Sequence, residues 1–168
     1  MARGTLKAKP NKPSTGRKTK PAATAKTKRA ARPGTGGKSR PKQKFIVSHH
    51  RETDFTDGLR NYAKYRDLGI AAATSGMVQA HVIRFVPPFA PQEASTPHYH
   101  EVVFQMIYVL KGWYKTEFEG EGVHTFEAGS CWIQPPRIKH AVRGYSDDCE
   151  LLEIVLPAGF GTVELDTL

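Results

Sequence analysis

His98, Tyr99 and His100 place two imidazoles two residues apart. Successive side chains of a β-strand alternate between its faces, so on a strand both rings point the same way and can close on one metal ion. Helical spacing would separate them. Such pairs also occur on protein surfaces without a metal, so the surrounding residues decide what this one means. Gln105 lies five residues past His100, Gly112 seven past Gln105, and a second block runs from Gly129 through Pro135 to His140.

In this arrangement the chain resembles the cupin family, and specifically its small single-domain bacterial members. The first cupin motif reads HxH, three or four residues, Glu, six residues, Gly. It stands here as His98, Tyr99, His100, four residues, Gln105, six residues and Gly112. The second reads Gly, five residues, Pro, any residue, Gly, two residues, His, three residues, Asn. It stands here as Gly129, five residues, Pro135, Pro136, Arg137, two residues, His140, three residues and Gly144. Sixteen residues separate Gly112 from Gly129, which suits the short inter-motif loop of compact cupins. Gln105 replaces the usual glutamate, Arg137 and Gly144 replace the usual Gly and Asn, and Gln92 stands where the first motif often opens with Gly. The turn before His140 is therefore expected to differ in shape.

The resemblance implies an all-β fold, a cupin jelly-roll β-barrel. It also implies one divalent transition metal (Fe, Zn, Mn or Ni) on His98, His100 and His140, with Gln105 as fourth ligand. Imidazole suits several such metals, and geometry and supply then select among them. A Gln amide oxygen is neutral, so four such ligands leave the full dipositive charge on the site. That favours Lewis-acid polarisation of a bound anion or enolate and disfavours a ferric state. Five residues separate His100 from Gln105, so on one unbroken strand they would face opposite ways. Either residues 101–104 hold a bulge or loop that restores the face, or Gln105 points away and three histidines act alone.

Other candidates carry less. His81 reads as a satisfied core histidine or a pocket-facing one. His124 is expected to point to solvent, and His49 and His50 to lie on the surface. Ile107 and Val109 share a face with Gln105 and are expected to line the barrel, whereas Tyr108 shares the other face and packs. Glu153 interrupts an apolar run, either as a pocket carboxylate with a raised pKa or as an outward residue.

These residues must be positioned by short strands. Segments rich in β-branched and aromatic residues recur at 77–86, 102–110, 113–118, 123–126, 131–134, 141–145 and 149–156, separated by turn residues. Such a series indicates a β-sandwich or barrel. A tight hairpin is expected between Gly120 and Gly122. Tyr62, Tyr65 and Leu68 at three-residue spacing suggest a short helix or rim turn over 60–68, which 67–74 could extend. The expected organisation is a tail over 1–44, a mixed lead-in over 45–76 and the barrel over 77–168.

The formal charge of +9 is unevenly spread. Residues 1–44 hold fifteen Lys and Arg and no acid, while the remaining ten bases face all sixteen acids, a balance of −6. The tail is rich in Lys, Pro, Ala, Thr and Gly and lacks the apolar surface needed to offset ordering, so disorder is expected. Three roles compete for it: sequence-independent nucleic-acid contact by counterion release, an organelle transit peptide, or an inert extension, whether native or left by a start codon called too early. It has no interleaved aromatics to stack on bases. Cys131 and Cys149 are too few for a disulfide framework and read as two buried free thiols. No apolar stretch approaches the ~18–20 residues of a bilayer span, and no secretion signal opens the chain, so a cytoplasmic protein is expected.

Two function classes lead, ahead of a purely structural barrel that only dimerises. One is a metal-dependent enzyme acting on a small molecule in the barrel, dioxygenase-like or isomerase/cyclase-like. The other is a non-catalytic small-molecule or metal sensor, tethered to nucleic acid by its tail. A homodimer is the expected assembly.

Overall fold

The computed structural model describes residues 42–58 and 60–168. After a 3-10 turn at Glu52–Asp54 come β1 (Thr56–Asp57), β2 (Ala63–Asp67), helix α1 (Ile70–Ala73), β3 (Gln79–Phe85) and helix α2 (Pro91–Ala94). They are followed by β4 (His98–Glu101), β5 (Phe104–Lys111), β6 (Trp113–Phe118), β7 (Gly122–Glu127), β8 (Cys131–Ile133), β9 (His140–Tyr145), β10 (Glu150–Leu156) and β11 (Gly161–Glu164). The strands form two antiparallel sheets, ordered β1-β2-β3-β10-β5-β8 and β11-β4-β9-β6-β7. From β3 onward the chain crosses repeatedly between sheets, as in a jelly roll.

Alternation along the strands builds the interior. Gln105, Ile107 and Val109 of β5, Tyr114, Thr116 and Phe118 of β6, and Leu151, Glu153 and Val155 of β10 are all buried, and their neighbours are more exposed. The interior is apolar at one end, where Phe85 packs on Tyr145, Tyr114 and Tyr62 at ring-centroid distances of 4.5, 5.3 and 6.4 Å. At the other end the inward positions become polar: His81 on β3, Gln105 on β5, His140 on β9 and Glu153 on β10. The sheet register aligns them, with Glu153 opposite both His81 and Ile107. Polar and aromatic side chains thus border one interior cavity.

Several local expectations change. Residues 63–67 are a strand, not a helix. Ala63 and Tyr65 pair with Phe85 and Ile83, and this ladder outweighs the three-residue spacing of the aromatics. The helix after it is a single turn, entered through Gly69 at φ 75°. The Gly120 hairpin forms, with Phe118 opposite Gly122. Cys149 is buried but Cys131 is exposed, because β8 turns Trp132 inward and its neighbours outward; both thiols are free. The expected disorder of residues 1–44 falls outside the described residues, except for the exposed Lys42, Gln43 and Lys44. Among the described residues no helix is long and apolar enough to cross a membrane.

Candidate metal centre

The two imidazoles of the HxH sequence sit on β4, in the five-stranded sheet. The strand ends at Glu101; Val102 is buried, Val103 is exposed, and β5 starts at Phe104 in the other sheet. This crossing resolves the parity conflict. His100 and Gln105 belong to opposite walls, so both face inward although five residues separate them.

His140 opens β9 and lies directly opposite His98. It is set by the preceding turn, in which Ile138 N–H donates to Pro135 O at 3.1 Å. Pro136 and Arg137 are the central residues, and Arg137 has φ 63°. Proline followed by a left-handed residue is the type II pattern, which ordinarily places Gly or Asn where this arginine stands. Arg137 accepts that backbone while its N–H donates to His100 O at 3.2 Å and its guanidinium reaches Glu101 at 3.2 Å. The turn carrying the third histidine is thus fastened to the strand carrying the other two.

The ring centroids lie 4.3 Å apart for His98 and His140, 5.1 Å for His98 and His100, and 5.2 Å for His100 and His140. One nitrogen from each falls within 4.8 Å of the others. Second partners orient the rings. Nδ1 of His98 donates to Thr96 O at 2.8 Å, and Nδ1 of His140 to Ile138 O at 3.1 Å. A carbonyl only accepts, so both rings carry their proton on Nδ1 and present the Nε2 lone pair. His100 Nδ1 is 2.9 Å from the Thr162 hydroxyl on β11, an arrangement compatible with the same tautomer. Tethering of one ring nitrogen is what metal-binding histidines require. Burial lowers the pKa of His98, pushes that of His100 down to about 4 and that of His140 to about 3, keeping the rings in their neutral, ligating form. The donor set fits one divalent ion.

Across from the histidines stands a buried polar network. Glu153 accepts from His81 Nε2 at 2.6 Å and from Gln105 Nε2 at 2.6 Å. Burial by itself would raise the Glu153 pKa, but the hydrogen bond from His81, the neighbouring imidazoles and the Gln105 amide outweigh it. The carboxyl is therefore lowered rather than raised, and it points inward. Because Glu153 takes the amide N–H, the Gln105 carbonyl oxygen is left for another partner. His81 is both satisfied by hydrogen bonds and part of the cavity wall. A charge count from the four candidate ligands alone omits this carboxylate, one hydrogen bond away from the amide.

Several residues escaped the sequence reading. Gln134 is buried and donates to His140 Nε2 at 3.0 Å, competing for the lone pair a metal would use. Its shared face with inward Trp132 was the available signal. Arg60, Thr162 and Phe160, whose ring sits 5.2 Å from His100, come from segments with no recognisable motif. His124, His49, His50 and Tyr108 are exposed. The histidines, Gln105, Gln134 and Glu153 surround a cavity of about 380 Å³, the lower range for a small-molecule site.

Residues 88–155 match the sequence family described as Cupin domain. Among solved structures, the chain is similar to KdgF from Halomonas sp. at 22% identity and TM-score 0.50, covering 62% of this chain and 87% of that one. It is similar to the polyketide cyclase RemF from Streptomyces resistomycificus at 18% identity and TM-score 0.55, covering 73% and 87%. Oxalate decarboxylase from Lactobacillus farciminis is matched at 16% identity and TM-score 0.52, with 67% of this chain and 34% of that one covered. Identities this low speak to fold alone. No protein of curated function matches the sequence.

Proposed function

This chain carries a cupin domain over residues 88–155, and from that premise we propose that it is a metal-dependent enzyme moving a proton on a small oxygenated molecule, in the manner of an isomerase or cyclase. The observation that carries the reading is the pairing of two features in one cavity. Three neutral histidines have converging nitrogens on one wall, and the Glu153–His81 hydrogen bond stands on the facing sheet.

His98, His100 and His140 would hold the ion, with Gln105 turning its carbonyl oxygen toward the cavity as a fourth neutral donor. A divalent ion there supplies Lewis-acid polarisation of a substrate oxygen, which acidifies the adjacent C–H. The chain's own groups then handle the proton. Glu153 and His81, coupled at 2.6 Å, act as one proton-accepting pair. Gln105 holds the carboxylate in place, and the apolar walls from Ile107, Val142 and Phe160 exclude water. The buried carboxylate–imidazole pair supplies a proton acceptor in the same cavity as the three histidines, which is why proton transfer is the preferred chemistry. RemF is named as a cyclase on this scaffold.

The test uses protein purified without a histidine tag, analysed for bound metal and for exchange of α-hydrogens of small carbonyl compounds into D2O. Wild type should bind one divalent ion and catalyse exchange. His100→Ala should lose the metal, and Glu153→Gln should keep the metal and lose exchange. A protein that takes up no metal after reconstitution, or a Glu153→Gln variant with full exchange, would refute the reading. The sensor alternative instead requires DNA affinity that changes when the cavity is filled.

A homodimer is supported by the outer face of the six-stranded sheet. There Met106, Tyr108 and Leu110 of β5 adjoin Ile133, Leu152 and Ile154, and none of the six is buried. A molecular mass from light scattering that stays monomeric at high concentration would remove the dimer from the proposal.

A further inference from the structure

Among the described residues three buried side-chain polar atoms lack a hydrogen-bond partner: Arg60 Nη2, Arg66 Nε and Trp132 Nε1. Native proteins leave few such groups, because each forfeits a hydrogen bond worth about 1–3 kcal/mol. Arg60 and Trp132 both line the cavity of the three histidines, and both orphaned atoms are donors. The cavity's two carboxylates are already engaged, Glu153 by His81 and Gln105, and Asp67 by the Gly69 N–H at 2.8 Å. An occupant rich in acceptor oxygens is what this lining lacks.

Arg60 is placed deliberately near the histidines. It lies in the turn between β1 and β2, and its Nη1 is held at 2.5 Å by Glu164, which is paired across β11 and β4 with His98. One edge of the guanidinium is therefore fixed by Glu164, and the Nη2 edge is buried without a partner. It lines the same cavity as His98 and His100.

Resting on the function proposed above, we infer that Arg60 is a carboxylate-recognition residue and that the cavity takes a small organic acid. The carboxylate accepts from Arg60 Nη2, and a second oxygen function, such as a ketone, faces the three histidines. Charge-assisted hydrogen bonds to a guanidinium give both strength and orientation, so the reacting carbon is set by its distance from the acid group. A neutral molecule of the same shape leaves the donor unpaired and binds more weakly.

The experiment is calorimetric titration of wild type, with and without bound zinc, using oxo acids of about three to eight carbons, each paired with its neutral amide. At least one acid is expected to bind about tenfold or more tightly than its amide. Arg60→Gln should abolish that preference, and Arg60→Lys, which keeps the charge without the fork, should retain part of it. Glu164→Gln loosens the edge that holds Arg60 at the rim and should reduce the preference without abolishing it. A purely structural Arg60 would instead make Arg60→Gln weaken an acid and its amide alike, which would overturn the inference. Preference that survives Arg60→Gln but disappears with the zinc would assign the carboxylate to the metal and overturn the inference, as would a series in which no acid is preferred. Zinc content is measured on the same samples, so failure of the metal site is read apart from failure of the Arg60 site.

Discussion

At the scale of residues, the Gln105–Glu153 contact sets the electrostatics of the cavity. An amide nitrogen and a carboxylate oxygen 2.6 Å apart attract, whereas two carboxylates at that distance cannot both stay ionised. Gln105→Glu is therefore expected to destabilise the metal-free protein by about 1–3 kcal/mol at neutral pH. The exchanged pair Gln105→Glu with Glu153→Gln should recover most of that loss in urea denaturation. Equal stability of the single variant and wild type would mean that the two side chains do not meet. The histidines make a second prediction. Their folded pKa values are depressed, to about 4 for His100 and about 3 for His140, while the unfolded chain titrates near 6.5. Between those values the unfolded state binds more protons. Stability of the metal-free protein is thus full above pH 6.5 and falls as pH drops toward 4, by up to about 1.4 kcal/mol per pH unit for each histidine. Denaturation at pH 7.5 and 5 should show the fall, and His140→Ala should reduce it; a flat profile would contradict the buried neutral rings.

Among the elements, the turn from Pro135 to Ile138 matters most, because it carries His140 and is pinned to β4 by the Arg137 N–H. Arg137 holds φ 63°, a backbone that costs a branched side chain about 1–2 kcal/mol and glycine almost nothing. Arg137→Gly should change stability by less than about 1 kcal/mol, with relief of strain offset by greater freedom of the unfolded chain. Arg137→Val should cost more and weaken zinc binding, since distortion there displaces the His140 ring. Isothermal zinc titration of the two variants separates them, and indistinguishable affinities would remove the turn from the set of site determinants. The crossing at Val102 and Val103 is the companion device, delivering Gln105 to the wall opposite His100.

For the whole molecule, charge is divided along the chain. Residues 1–44 carry fifteen bases without an acid, and the rest has a balance of −6. Deleting 1–44 should leave metal content and α-hydrogen exchange unchanged, because among the described residues the cavity lining begins at Thr56. The same deletion should abolish salt-sensitive retention on immobilised duplex DNA, where each phosphate contact contributes through counterion release. A loss of exchange on truncation would implicate the tail in the reaction. DNA affinity that follows occupancy of the cavity would favour the sensor reading instead.

Much of this was written in the order of residue types. Alternation with a period of two was enough to indicate strands, and Trp113–Phe118 was legible to the residue. The resemblance of the segments around His98, His100 and His140 to the two cupin motifs named the candidate ligands before any fold was drawn. Turn chemistry at Gly120 also lies within a few neighbouring residues and so is readable locally. What needed the tertiary structure was every relation between distant segments. Residues 63–67 became a strand because β3 offered a ladder, and Glu153 became a lowered pocket carboxylate because β3 and β5 brought His81 and Gln105 to it. Arg60 reached the rim because Glu164, 104 residues away, held its other edge. Local pattern determines which face a side chain takes, but the partner on the next strand determines its charge, its tautomer and its chemistry.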